Sequence, residues 1–339
     1  MLPAVTRTSP ARPLDIPALF PGISAFAKTA TRLHPRPGDP GIRDSHIGGM
    51  VLWPAAEPWP TCHEPHVVPT ETPIPRELAE QLNRSMSPAV MAQLAAMTPG
   101  FAGLAITDDR AYIAGSTTVT QPTPLVPVAQ LRATDIPDLR CPSGTDTLQV
   151  LWCPNEHGDA HDFGPAVQIR WRASGSVTEA LPAAPPAAAH KEIYLPRPCV
   201  LHPEQIVEYP WWQELPEELG RQVDEFDQGR QYGEYDYYAV SQAPGWKVAG
   251  YPNWAVSDLK PMNCTGCGTS MDLLLTIDST ESMGLLWLPV EDSGLQPDRT
   301  DPAWIAAHEP TGISVGRHSQ LRIFICPTCP DTPIRPSIQ

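Results

Sequence analysis

Charge is sparse in this chain. Asp, Glu, Lys and Arg make up 18% of its 339 residues, against roughly a quarter in average globular proteins. Lysine is confined to Lys28, Lys191, Lys247 and Lys260. With 38 acids against 23 bases, the formal net charge is −15. That charge repels phosphate backbones and anionic lipid, which excludes non-specific binding to nucleic acid or membrane surfaces and favours a basic protein as partner. No window approaches the roughly 18 uninterrupted apolar residues of a membrane span. The N-terminal MLPAVTRTSPARPLDIPALF has no apolar run of signal-peptide length before its prolines. The expected location is the cytoplasm, where the eight cysteines are free thiols or metal ligands rather than disulfides.

Catalytic signatures are missing as well. The chain has no Gly-rich phosphate loop, no G-x-S-x-G elbow and no H-E-x-x-H pair. No catalytic residue is named on this basis, and the paired acids Asp108-Asp109 and Glu291-Asp292 read as solvated turn charges. Helical periodicity is scarce. It is confined to a short helix within Ile16 to Thr31, two amphipathic helices over residues 73–100 broken near Pro88, and Glu214 to Gln228 with Leu215, Leu219, Val223 and Phe226 on one face.

Proline is abundant: 43 residues, about two and a half times the usual share of about 5%. Loops and extended segments should therefore dominate. Residues 1–40 read as a Pro/Arg-rich N-terminal segment, and RASGSVTEALPAAPPAAAH (172–190) has the composition of an exposed linker. The linker divides residues 41–171 from residues 191–339, and these two parts share ordered motifs. HIGGMVLWPAAEPWPTC (46–62) corresponds to WKVAGYPNWAVSDLKPMNC (246–264), LVPVAQLRATDIP (125–137) to MDLLLTIDSTES (271–282), and TLQVLWCPNEH (147–157) to QLRIFICPTCP (320–330). The expected fold is α+β: a mainly antiparallel sheet, internally duplicated as two pseudo-repeats, with few short helices and Pro-rich loops. FAGLAITDDRAYIAGSTT (101–118) adds a hairpin turning at Asp108-Asp109.

MNCTGCGTSM (262–271) carries a C-x-x-C, which serves either redox chemistry or metal binding. A thioredoxin-type motif opens a helix, whereas Cys264-Thr265-Gly266-Cys267-Gly268 precedes a strand and has the Gly-containing turn of a metal knuckle. Zinc takes four ligands, and Cys326 and Cys329 supply the second pair. If strands 271–277 and 320–326 are antiparallel neighbours, both pairs meet at one end of the sheet. The repeat then predicts a second zinc site from Cys62, His66, Cys153 and His157, with His63 or His161 as substitutes. Closed four-ligand shells are structural. Only a three-ligand first-half site would let Glu64 or Glu156 act as base on a bound water. Cys141 and Cys199 read as small apolar residues.

The Gly-Gly-x-x-x-Trp-Pro…Trp-Pro loop (48–60), GYPNW (250–254), LLLTID (273–278) and FICPTCP (324–330) together resemble the YwqG-like family of bacterial proteins of unknown function, over roughly residues 40–335. The resemblance implies an α+β fold with internal duplication, no established enzyme activity and, through toxin-immunity gene neighbourhoods of some members, an immunity-like interaction role. The chain departs from the family at Thr276, where members carry glutamine.

Two surfaces are candidates for partners. EFDQGRQYGEYDYY (225–238) mixes acids with Tyr232, Tyr235, Tyr237 and Tyr238, a composition suited to a basic protein because rings anchor and charges steer. Trp53, Trp59 and Trp254 are candidate walls of a cleft between the pseudo-repeats. The leading functional expectation is a zinc-stabilised protein-binding module. The alternative is an enzyme or small-ligand protein using that cleft.

Overall fold

Segments in which Val, Ile, Leu and Thr recur between prolines are too short for stable helices and suit strands. A computed structural model describes residues 6–98, 100–158, 164–187, 191–230 and 235–339. In chain order its strands are β1 (Lys28–Arg32), β2 (Arg36–Pro37), β3 (His46–Ile47), β4 (Thr61–Cys62), β5 (His66–Pro73), β6 (Gly103–Ile106), β7 (Ala111–Val119), β8 (Thr123–Pro124) and β9 (Val126–Arg132). They continue as β10 (Thr147–Trp152), β11 (Val167–Arg172), β12 (Cys199–Val200), β13 (Glu204–Glu208), β14 (Lys247–Ala249), β15 (Asp272–Asp278), β16 (Gln320–Ile325) and β17 (Ile334–Ile338). The helices are short: α1 (Ile16–Leu19), α2 (Arg76–Arg84), α3 (Pro88–Met97), α4 (Glu217–Gln228), α5 (Tyr237–Ser241) and α6 (Pro302–His308). The expected α+β class with mainly antiparallel sheets is what forms.

One compact unit comprises Met1–Trp59, Leu125–Pro185 and Lys191–Gln339. It holds two six-stranded sheets, ordered β13-β1-β14-β15-β16-β17 and β11-β10-β9-β3-β12-β2. β1 therefore lies between two strands made after residue 200, while β12 lies between β2 and β3. Residues 28–37 are thus integral to both sheets. The helix expected within Ile16 to Thr31 is shorter than its pattern: Asp15 caps α1, Gly22 turns the chain at φ 95°, and Lys28 opens β1. A second core beside the sheets gathers Ile16, Phe20 and Ile23 against Leu215, Val223 and Tyr237, using the apolar face of α4.

The beginning of the expected linker is packed. β11 reaches Arg172, Ser174 donates its N–H and hydroxyl to Asp146 at 2.8 and 2.6 Å, and Ala180 bridges Pro54. Residues 188–190 lie outside the described residues.

The other unit comprises Pro60–Pro124 and Pro186–His190. Its sheet is β5-β7-β6, with the ribbon β4-β8. The β6–β7 hairpin turns at Asp108-Asp109 as expected, closed by Thr107 N–H donating to Arg110 O at 2.8 Å. The Ser87 hydroxyl caps α3, and Pro88 at its first position separates it from α2.

Candidate metal centres

Each cysteine pair of the second half sits where a strand meets a turn, so backbone pairing fixes it. β15 and β16 are antiparallel with Asp272 opposite Ile325, which sets the start of one strand beside the end of the other. In the knuckle, Gly268 N–H donates to Cys264 O and Cys264 N–H to Thr269 O, both at 2.8 Å, and Gly268 takes φ 75°. That positive φ is why glycine follows the second thiol. On the opposing turn, Cys326 N–H donates to Pro333 O at 3.0 Å and Cys329 N–H points at Cys326 Sγ, 3.4 Å away. Cys264 Sγ lies 3.9 Å from Cys329 Sγ, and Cys267 Sγ lies 3.5 Å from Cys326 Sγ. Four sulfurs at about 2.3 Å from a tetrahedral zinc stand about 3.8 Å apart, so the spacing fits that ion.

The thiols differ in environment. Cys264 and Cys326 are buried in a cluster with Trp254, Met262, Met271 and Phe324, whereas Cys267 is exposed. The Thr269 and Thr328 hydroxyls hold the Cys267 thiol down to about 5, while neighbouring thiols push Cys329 up. Binding of a dication to such a group requires thiolates and therefore releases protons.

Cys62, His66, Cys153 and His157 form the second group, and as in the first, the candidate ligand atoms all lie within 4.8 Å of one another. All four residues are buried. His66 opens β5 and turns Nε2 to Cys62 Sγ at 3.6 Å. Cys153 follows β10, its N–H donates to Ala166 O at 3.0 Å, and its Sγ receives the Asn155 side-chain amide at 3.5 Å. His157 N–H donates to Gly164 O at 2.9 Å. A donor set of two thiols and two imidazoles is a tetrahedral zinc set.

The remaining sequence candidates are placed as follows. His63 is exposed and bonds Thr61, and His161 lies outside the described residues. Glu156 pairs with Lys191 at 2.6 Å, and Glu64 is exposed. Cys199 and Cys141 keep their protons, because burial pushes them up to about 12 and about 11.

Among the aromatic candidates, Tyr232 lies outside the described residues, and Tyr235 is exposed. Tyr237 is a correction to the surface reading. It is buried against Phe20 and its hydroxyl donates to Pro210 O at 2.7 Å, because a ring this size is worth more inside. Trp53 is likewise interior, its indole N–H on Glu57 O and Arg172 stacked over its ring at 4.4 Å. Trp254 is only 3% exposed and carries Arg322 over its ring at 4.2 Å, yet it borders a cavity of about 360 Å³.

Sequence reasoning missed a buried ion pair in the sheet that carries the four cysteines at one end. Lys247 Nζ donates to Glu208 Oε1 at 2.6 Å, and Ala243 N–H and Tyr251 N–H donate to the same carboxylate. Nothing local signals it, since the ion-paired residues are 39 positions apart.

Among the described residues, no helix is long and apolar enough to cross a membrane. No model of a protein family matches the chain, and no curated protein matches it.

Proposed function

We propose that the chain is a zinc-stapled binding protein with no reaction of its own, built by internal duplication. The observation that carries this reading is the pair of four-ligand Cys/His groups: a shell filled by protein leaves no coordination position for water or substrate. Duplication is supported by strand order. β3-β9-β10-β11 in one sheet and β14-β15-β16-β17 in the other have the same sequence, each flanked by the opening strand of the opposite half. Cys153 and Cys326 follow equivalent strands, β10 and β16.

A partner with basic character is favoured by the net charge of −15 and by α4, whose solvent side carries Glu217, Glu218 and Glu225. Kinship with the YwqG-like family, and the immunity-like role that the resemblance implies, rest on the Trp-Pro loop, GYPNW, LLLTID and FICPTCP. The test is metal content of protein purified without added metal. Two zinc ions per chain, falling to one in Cys264→Ser and one in Cys153→Ser, is the expected result. Wild-type protein without zinc overturns the staple, and affinity purification from the native host without any basic partner overturns the binding role.

A further inference from the structure

The two ligand groups differ in how far solvent reaches them. In the mixed group Cys62, His66, Cys153 and His157 are all buried. In the four-cysteine group Cys264 and Cys326 are buried and Cys329 is half-buried, but Cys267 is exposed. Cys264 and Cys326 pack among Trp254, Met262, Met271 and Phe324. Cys267 instead lies in the knuckle turn that Gly268 N–H closes on Cys264 O. Gly266 and Gly268 on either side of it have no side chain to shield its sulfur.

The exposed sulfur has a buried one within reach. Cys267 Sγ lies 3.5 Å from Cys326 Sγ, and the Thr328 hydroxyl stands 3.3 Å from both. Cys264 Sγ and Cys329 Sγ form the other close pair, at 3.9 Å. Each pair joins the knuckle before β15 to the turn after β16, and the pairing of Asp272 with Ile325 keeps these two turns side by side. A solvent-reached thiolate with a second cysteine poised beside it is the arrangement in which oxidation ends in a disulfide.

We propose that Cys267 is a peroxide-sensitive modification site, at which a hydroperoxide links Cys267 to Cys326 and opens the four-cysteine group. The Cys267 thiolate attacks one oxygen of the hydroperoxide, the O–O bond breaks, and the other oxygen leaves as hydroxide or alkoxide and takes a proton from water. The Cys326 thiolate then attacks the sulfur of the sulfenic acid so formed, the S–S bond closes and hydroxide departs. Two thiolates have given up two electrons, and the broken O–O bond has taken them. Cys264 and Cys329 remain, two donors where a tetrahedral ion takes four, so the group no longer holds a metal. Reduction of the disulfide by a thiol restores the four donors. The mixed group is spared because both of its cysteines are buried. Oxidation thus unfastens one end of one sheet and leaves the other staple closed.

This rests on the zinc-stapled reading and is tested apart from it, since metal content reports on the staples and a disulfide map on Cys267. The full chain, purified with its zinc, is treated with limiting hydrogen peroxide. Zinc release is followed with a chromogenic chelator, and the disulfides are mapped by mass spectrometry after free thiols are blocked. The expected result is loss of one zinc ion per chain, Cys267 joined to Cys326, Cys62 and Cys153 still reduced, and re-uptake of zinc after reduction with a dithiol. Cys267→His keeps a zinc set of three cysteines and one histidine and should release its ion at least about tenfold more slowly under peroxide. Loss of zinc from both groups together, a disulfide map without the Cys267–Cys326 link, or a Cys267→His protein as sensitive as wild type overturns the proposal. If Cys267→His does not load with zinc, the wild-type disulfide map decides alone. Wild-type protein without zinc overturns the staple, and the same map still decides the fate of Cys267.

Discussion

Four residues before Cys153 lies Gln149, and four before Cys326 lies Arg322. Around Gln149 the polar groups are mostly amides: its amide donates to Gln130 Oε1 at 3.0 Å and Leu52 O at 2.9 Å, Gln130 donates to Ile42 O and Asp44 O, and one cation, Arg172, donates to Gln149 Oε1 at 3.1 Å from its ion pair with Glu57. In the sheet of Arg322 they are charged. Lys247, Glu208, Arg32 and Glu281 are each at most 1% exposed, and Asp278 is 5% exposed. Two sheets of one strand order thus centre their buried polar groups on amides in one case and on ions in the other, with Arg172 and Arg36 as the cations of the first. Amides do not titrate near neutral pH, whereas buried ions carry large desolvation costs. Sensitivity to acid and base should therefore concentrate in the sheet of β14–β17.

The largest expected effect belongs to the metals. Cys326→Ser and Cys153→Ser should each cost about 5 kcal/mol in denaturant unfolding, the range reached when a structural metal is lost. A chelator should strip the four-cysteine group first, because Cys267 is exposed while all four residues of the mixed group are buried. Metal-release kinetics followed with a chromogenic chelator decide the order.

Next comes the ion pair. Lys247→Met strands the Glu208 carboxylate and should cost about 4 kcal/mol. Gln149→Leu in the amide-centred sheet should cost about 2 kcal/mol, from the loss of its bonds to Gln130, Leu52 and Arg172. Equal losses would erase the distinction between the sheets.

The third prediction concerns pH. Burial pushes Glu281 up to about 7 from 4.5, against the opposing pull of Arg32. Between those values the folded state binds more protons than the unfolded state, so stability falls as pH climbs from about 4.5 to 7 and the penalty is complete above that. Glu281→Gln should remove this slope, gaining as much as about 3 kcal/mol at pH 8 and nothing near pH 4. Denaturation midpoints of both proteins across that window check it.

The smallest effects are at glycines. Gly250→Ala should cost about 2 kcal/mol, since a Cβ there would lie 2.3 Å from Glu208 Oε2 and 2.7 Å from Ala30 Cβ on top of a positive φ. Gly268→Ala meets nothing within 4 Å and should cost only the conformational penalty, about 1 kcal/mol.

The candidate ligand groups were legible because Cys264, Cys267, Cys326 and Cys153 stand at strand ends beside turn signals, Gly268 for one pair and Pro327 or Pro154 for those that follow strands. The hairpin at Asp108-Asp109 and the break at Pro88 were legible for the same local reason. β2, β3 and β12 have two residues each, too few for alternation to register. The pairing of β1 with β14 joins residues more than 200 positions apart, which no local pattern encodes. Tyr237 was misread because a ring among acids looks like surface, while tertiary contacts fill its faces.

The position of β1 and β12 in sheets completed by the opposite half governs how the protein can be made. As the chain emerges from a ribosome, β3 has no neighbour on its open edge until Cys199 and Val200 have been synthesised, and β1 must wait for β13 at Glu204 on one side and for Lys247 on the other. Either half expressed alone would keep a bare edge and tend to aggregate. Expressed together as two separate polypeptides cut within residues 181–187, the halves should find each other and assemble, because the sheets themselves are the fastening.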